Sequence, residues 1–191
     1  MAQSTGSRSF PVKHRTGGKV DYTSLLATGS VFLEQGNYQE ALRYFQDAAK
    51  LRPEADESYL ALGQVYERMG RLGSAKQIYG LVLEIKPGNL EALIRTAQIL
   101  EKEGDYHQAV RIYRKAIESN PQAVAPRLGL ALLYHHYDMF DEAKETYEAL
   151  LAKAPRHSLA LLNLGRLLFP VEALSEIGEE TAIEAEPTPG F

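Results

Sequence analysis

Residues 56–89 read DESYLALGQVYERMGRLGSAKQIYGLVLEIKPGN, and the pattern of these 34 residues returns along most of the chain. Prolines recur at this step at 53, 87, 121 and 155, and alanines at 41, 75, 109 and 143. An aromatic residue keeps the same step at 45, 79, 113 and 147. Several independent series at one period indicate a tandem array of units, each of which must stack on its neighbours to bury its apolar face.

Each unit is predicted to contain two helices. In the first half of 56–89, apolar residues recur three and four places apart, the spacing of one helix face: Tyr59, Leu62, Val65 and Tyr66. Gly70 is expected to end this first helix, and Pro87 the second. The chain is therefore predicted to alternate first and second helices along its whole repeated part.

Three further sets of residues predict how the helices start, turn and touch. A positive φ is expected at the turn after each first helix, at Gly36, Gly70, Gly104 and Asp138. A small residue is placed where the two helices of a pair would approach closely, at Gly29, Gly63, Ala97 and Ala131. N-caps are expected at Asp56, Asn89 and Ser158.

The repeated unit resembles the tetratricopeptide repeat (TPR), whose pattern is a large residue, Leu-Gly, Tyr, Ala, an aromatic residue, Ala and Pro. The second unit carries nearly all of this pattern, in Tyr59, Leu62, Gly63, Tyr66, Ala75, Tyr79 and Pro87. The fourth unit is looser, with Arg127 at the large first place, and the fifth stops at Pro170. The resemblance implies an all-α fold, a right-handed α-solenoid of stacked antiparallel helix pairs. Its predicted units are 22–55, 56–89, 90–123, 124–157 and a partial fifth at 158–170.

The two ends of the chain differ from the array in charge. Residues 1–20 contain four basic residues and no acidic one, whereas residues 171–191 contain six glutamates and no basic residue; the net charge of the whole chain is −4. We expect both ends to be solvated, largely disordered tails, and the dispersed cations do not predict a nucleic-acid partner.

The start of the acidic tail has one feature of its own. Val171, Leu174 and Ile177 recur at a step of three, as one face of a short helix would place them. The preceding helix, near 159–169, is apolar on all sides and needs cover. Residues 171–178 are therefore predicted to cap the array, and the alternative cover is the same end of a second molecule.

The composition argues against an enzyme. The chain has no Cys, which excludes thiol nucleophiles and Cys-based zinc and iron–sulfur sites. Neighbouring His135 and His136 would point about 100° apart on a helix, so they cannot chelate a metal together. We predict a non-enzymatic protein without cofactor or metal.

No uncharged apolar run approaches the ~20 residues of a membrane span, and the first residues lack the apolar core of a secretory signal. On these grounds we expect a cytoplasmic protein.

The resemblance implies that the first helices line a concave groove, and this groove is the predicted binding site. Its fifth places form an apolar ladder, Leu26, Leu60, Ile94, Leu128 and Leu162. Neighbouring places add Ser30, Gln64, Arg95, Gln98, Leu132 and Asn163. An apolar or amphipathic peptide segment is the expected ligand, held by the ladder and oriented by the polar residues. The alternative is that the ladder packs between neighbouring first helices.

Some TPR proteins grip the C-terminal carboxylate of a chaperone with Lys, Asn and Arg at fixed places. Those places hold Leu26, Ser30, Ala61, Glu91 and Arg95, of which only Arg95 fits. The sequence therefore predicts no carboxylate clamp. It leaves three roles open: an adaptor for one partner, a holding chaperone for a secretion or membrane-assembly substrate, and self-assembly through the ends of the array.

Overall fold

A computed structural model describes residues 21–169, and these form nine α-helices and no strand. The first helices of the units are α1 (Tyr22–Glu34), α3 (Asp56–Arg68), α5 (Leu90–Lys102), α7 (Ala125–His136) and α9 (Ser158–Leu168). The second helices are α2 (Tyr38–Leu51), α4 (Leu72–Ile85), α6 (Tyr106–Ser119) and α8 (Phe140–Leu151). The predicted all-α, right-handed solenoid of antiparallel helix pairs is confirmed, with four complete pairs and α9 as a first helix.

Each pair is closed by a turn of three residues whose middle residue has a positive φ. The φ angles are 74° at Gly36, 72° at Gly70, 77° at Gly104 and 57° at Asp138. The prediction that an aspartate replaces glycine in the fourth turn is confirmed, since Asp tolerates this region better than most side chains.

Of the three predicted N-caps, one is confirmed. Asn89 is the N-cap of α5, where its side chain accepts a hydrogen bond from the amide of Ala92 at 3.0 Å. Asp56 and Ser158 were expected to be caps, and this is wrong by one residue, because each is the first residue of its helix. His157 caps α9 instead, with Nδ1 accepting from the amide of Ala160 at 3.3 Å, and Ala55 precedes α3 without a side-chain cap.

The core lies between the two layers of helices and is made by the repeated series. The alanines at 41, 75, 109 and 143 are fully buried, and Phe45, Tyr79, Tyr113 and Tyr147 are at most 1% exposed. The small series lets these rings lie against the first helix: a Cβ built on Gly29 would lie 2.6 Å from the ring of Phe45. In the first two pairs an aromatic ring therefore packs directly against a glycine of the first helix, Phe45 on Gly29 and Tyr79 on Gly63.

The pattern of contacts shows which side of the array is concave. Each helix packs mainly on its neighbours along the chain, and within one layer the helices that meet are first helices, α1 with α3 and α5 with α7. First helices lie closer together than second helices, so the solenoid curves with its concave side on the first helices. The predicted tails, 1–20 and 171–191, and the predicted cap at 171–178 lie outside the described residues.

Candidate functional site: the concave groove

The apolar ladder of the groove is accessible at one end only. Leu26, Leu60 and Leu128 are half-buried and pack against the core clusters of their own and neighbouring units, and Ile94 is half-buried as well. Leu162 on α9 is 51% exposed, and Leu132, a neighbouring groove residue on the preceding first helix α7, is 38% exposed. Packing between first helices thus accounts for most of the ladder, and the exposed part belongs to α7 and α9.

Acidic residues surround the polar groove residues of α3 and α5. The side chain of Gln64 donates to Glu91 Oε1 at 2.8 Å, and Arg95 Nε lies 3.8 Å from Glu91 and 3.9 Å from Glu67. The hydroxyl of Tyr79 donates to Glu67 at 2.6 Å. Gln64 and Arg95 are therefore joined to carboxylates of the same chain. We call this part, on α3 and α5, the acidic half of the groove.

The pairing of a glutamate with a buried tyrosine recurs in the next unit, between Glu101 and Tyr113. Burial raises the pKa of Tyr113, and its hydrogen bond to Glu101 raises it further. Burial also raises the pKa of Glu101, while the Tyr113 hydrogen bond opposes that shift. Sequence reasoning missed this pairing, although Glu67 and Glu101 are one period apart, as are the two tyrosines.

The fourth unit breaks the pairing. Its matching residues are His135 and Tyr147, whose rings meet edge to face with centroids 6.5 Å apart. The Tyr147 side chain is fully buried, and its hydroxyl has no hydrogen-bond partner among residues 21–169. Burial raises the pKa of Tyr147 to about 12. A buried hydroxyl without a partner destabilises a fold, because it loses water and gains nothing in exchange.

Removing this hydroxyl should stabilise the protein. We expect Tyr147→Phe to raise the free energy of unfolding by about 1 kcal/mol, since it removes an unpaired buried polar group. The matched change Tyr79→Phe should lower it by about 1–2 kcal/mol, since it breaks a hydrogen bond to a carboxylate. Urea denaturation of both variants measures the difference, and equal effects of the two substitutions would contradict the assignment.

The other half of the groove is apolar and carries no acidic residue. Neither α7 nor α9 contains an Asp or Glu. Their exposed large apolar side chains on the groove face are Leu132, Leu159 at 43% and Leu162, and the exposed basic residues there are His136 and Arg166. We call this part, on α7 and α9, the apolar half of the groove. Sequence reasoning did not select Leu159, which shares a helix face with Leu162.

The remaining predicted groove residues, Gln98, Ser30 and Asn163, differ in their exposure and contacts. Gln98 lines one pocket with Ile94 and Arg95, as predicted for neighbours on one face. Ser30 is exposed, and its hydroxyl donates to the carbonyl of Leu26 at 2.9 Å. Asn163 is not in the groove: it is 8% exposed, and its amide donates to the carbonyl of Leu159 at 2.8 Å. It lies with Ala160 on the side of α9 that is buried against the fourth unit, so it does not belong to the site.

Two further features noted in the sequence are not among the predicted groove residues: Arg127 and the pair His135 and His136. Arg127 does not pack at the large first place of its unit, because its guanidinium donates to the carbonyls of Ala123 and Pro121 at 2.6 and 2.8 Å. Of the two neighbouring histidines, His136 is exposed and His135 is half-buried against Tyr147. Within 21–169, no three acidic or histidine side chains are grouped as a metal site would need.

The comparisons with known proteins agree with this geometry. The model of the tetratricopeptide repeat family matches residues 32–99 and again 100–167, together more than half of the chain. The chain belongs to the tetratricopeptide repeat family. TPR proteins are generally non-enzymatic scaffolds for protein–protein interaction, and this TPR array shares that fold.

Solved structures share the TPR fold at low sequence identity. A TPR protein from Parabacteroides merdae is 24% identical, with a TM-score of 0.68 over 90% of this chain and 68% of that one. MamA from Desulfovibrio magneticus RS-1 is 18% identical, with a TM-score of 0.66 over 86% and 97%. YrrB, described as a TPR protein with an unusual peptide-binding site, is 21% identical, with a TM-score of 0.61 over 80% and 79%. No curated protein sequence matches the chain.

The helices of the TPR array are short. In the part of the chain that the structure describes, none has the length and apolar character to cross a bilayer.

Proposed function

We propose that this TPR array is an adaptor that binds an apolar or amphipathic segment of a protein partner in the apolar half of its groove. The observation that supports this most is the exposure of Leu132 and Leu162, 38% and 51%, since the ladder residues that match Leu162 in the earlier units are half-buried. Clustered exposed apolar side chains on a concave surface favour a ligand that buries them.

The charges of the groove favour a particular kind of segment. The acidic half holds Glu67 and Glu91 with Arg95 between them, which disfavours a further carboxylate there. The apolar half has only basic residues among its charges, so it can accept an apolar segment that also carries Glu or Asp. We propose that the ligand places its large apolar side chains over α7 and α9.

The same charges argue against a chaperone C-terminus as the ligand. Arg95, the one residue that fits a carboxylate clamp, already lies within 4 Å of two carboxylates, with Arg95 Nε 3.8 Å from Glu91 and 3.9 Å from Glu67. A chain-terminal carboxylate would have to displace them and approach Glu91. The peptide-binding site for which YrrB is described supports peptide binding on this fold, without fixing the ligand of this chain.

Substitutions in the apolar half test the proposal. We expect Leu132→Glu combined with Leu162→Glu to weaken partner binding at least about tenfold, because it buries two carboxylates in an apolar contact. The matched control is Leu81→Glu, a substitution at a leucine of α4 that is 41% exposed and lies outside the groove. The measurement is quantitative capture of partners by the wild type, the double variant and the control, with each folded fraction checked by circular dichroism. Partners that bind the double variant as well as the wild type would overturn the proposal.

The same experiment separates an adaptor from a holding chaperone. An adaptor is expected to retain one partner at a fixed stoichiometry, whereas a holding chaperone would retain many and suppress their aggregation. We favour the adaptor, because the exposed leucines of the groove, among the residues that the structure describes, lie on α7 and α9.

A further inference from the structure

The last helix of the array carries a contact surface that is covered in every complete unit and open in α9. At 100° per residue, the sides of α9 fall into three faces. Ala160 and Asn163 are buried on the fourth unit, and Leu159 and Leu162 belong to the groove. The third face holds Leu161, Gly165 and Leu168 and is called here the end face of α9.

The complete units show what this face does. In the complete units the same places face the second helix of the pair and are buried or half-buried: Leu93 is 0% exposed, Leu100 4% and Tyr134 3%, and Phe32, Tyr59, Tyr66 and Arg127 are half-buried. In α9 the matching Leu161 and Leu168 are 48% and 47% exposed. The end face therefore has the composition of a helix-binding surface without a second helix among residues 21–169.

Gly165 gives independent support. Gly29 and Gly63 hold the same place in the first two units. The rings of Phe45 and Tyr79 lie so close to them that an added Cβ would overlap the ring. A Cβ built on Gly165 meets nothing within 4 Å in the described part of the chain. The chain thus keeps, at its last first helix, the small residue against which a second helix packs.

The chain itself supplies a segment at the right distance. In all four complete pairs, three residues separate the end of the first helix from the start of the second. Since α9 ends at Leu168, a connection of the same length would place a second helix at about residue 172. Pro170 at its middle cannot adopt a positive φ, so this turn must differ in shape from the other four. Residues 171–178 begin there, and the spacing of Val171, Leu174 and Ile177 would place all three within one face of a helix. Their glutamates, Glu172 and Glu176, fall on the opposite side, as a surface helix needs.

We infer that residues 171–178 fold onto the end face of α9 as a shortened second helix of the fifth unit. We assign the cover to this segment of the same molecule, because the chain leaves α9 at Leu168, which is itself a residue of the end face. A tail with six glutamates and no cation also suits an end whose exposed charges include Arg156 and Arg166. The covered end then has a polar outer surface, which prevents stacking on a second array.

One test uses a charge change in the full chain. Leu174→Glu combined with Ile177→Glu should lower the Tm by roughly 4–8 °C and produce self-association at the uncovered face. The control, Ile183→Glu, lies in the same tail beyond the segment and should leave the Tm and the mass unchanged. Thermal unfolding and multi-angle light scattering measure both. A Tm of the double variant equal to that of the control would overturn the inference.

A second test asks whether Gly165 is covered. Gly165→Leu should lower the Tm, because the complete units hold nothing larger than Ala97 or Ala131 at this place under their second helix, whereas Gly80→Leu, in open space on α4, should raise it by roughly 1–3 °C. A rise of equal size in both variants would mean that nothing covers the end face. A wild type with twice the 21.2 kDa mass of one chain, which Leu174→Glu and Ile177→Glu convert to monomers, would assign the cover to a second molecule and overturn the inference as well.

Discussion

Replacing Gly63 with alanine is expected to lower the free energy of unfolding by about 2 kcal/mol, although alanine is the better helix former by about 1 kcal/mol. Gly63 lies within α3, and a Cβ there would overlap the ring of Tyr79. That ring is fully buried and holds a hydrogen bond to Glu67, so it cannot move aside freely. Overpacking at a fixed aromatic ring therefore outweighs the gain in helix propensity.

The control for this prediction is Gly80→Ala in α4, where an added Cβ meets nothing within 4 Å. It should raise the free energy of unfolding by about 0.5–1 kcal/mol, the helix-propensity gain without a clash. Urea denaturation of the two variants measures the difference. Equal gains in both would contradict a close contact between Gly63 and the ring of Tyr79.

Replacing Asn89 with alanine is expected to lower the free energy of unfolding by about 2–3 kcal/mol, because one side chain links two units. Asn89 is 7% exposed; its Oδ1 caps α5, and its Nδ2 donates to Asp56 Oδ2 at the start of α3 at 2.6 Å. The alanine variant loses the cap and leaves Asp56 with only Lys86, 3.6 Å away.

The matched control is Asp105→Ala, which removes a cap from α6 where the side chain accepts from the amide of Gln108. The loss there should be about 1 kcal/mol, the effect of a cap alone. Thermal and urea unfolding of both variants give the comparison. Losses of the same size would mean that the link from Asn89 to Asp56 contributes nothing.

The fold could be predicted because its determinants repeat. Gly36, Gly70 and Gly104 fix the turns through a backbone conformation that few residues adopt, and the period carried that requirement to Asp138. The buried alanines and aromatic rings were visible as series for the same reason. Shifts of one residue, as at Asp56 and Ser158, were not visible, because Ser, Asp and Asn serve both as caps and as first-turn residues.

The residues that share the groove face could be predicted, but their exposure to solvent could not. Leu26 and Leu162 hold the same place in their units, yet only Leu162 is largely exposed, since exposure depends on the side chains of the next unit. Arg95 was expected to orient a ligand, and its contacts with Glu67 and Glu91 follow from how α3 and α5 pack. The burial of Asn163 likewise depends on how α9 packs against the fourth unit.

The central claim is that the apolar half of the concave groove binds an apolar segment of a partner. Its most direct test places the photo-reactive amino acid benzoylphenylalanine at Leu162 in one variant and at Leu81 in another, and identifies the cross-linked peptides by mass spectrometry. We predict that Leu162 cross-links to one partner segment that contains at least two large apolar residues, and that Leu81 does not. Cross-links from Leu81 to the same segment, or a segment without large apolar residues at Leu162, would contradict the claim.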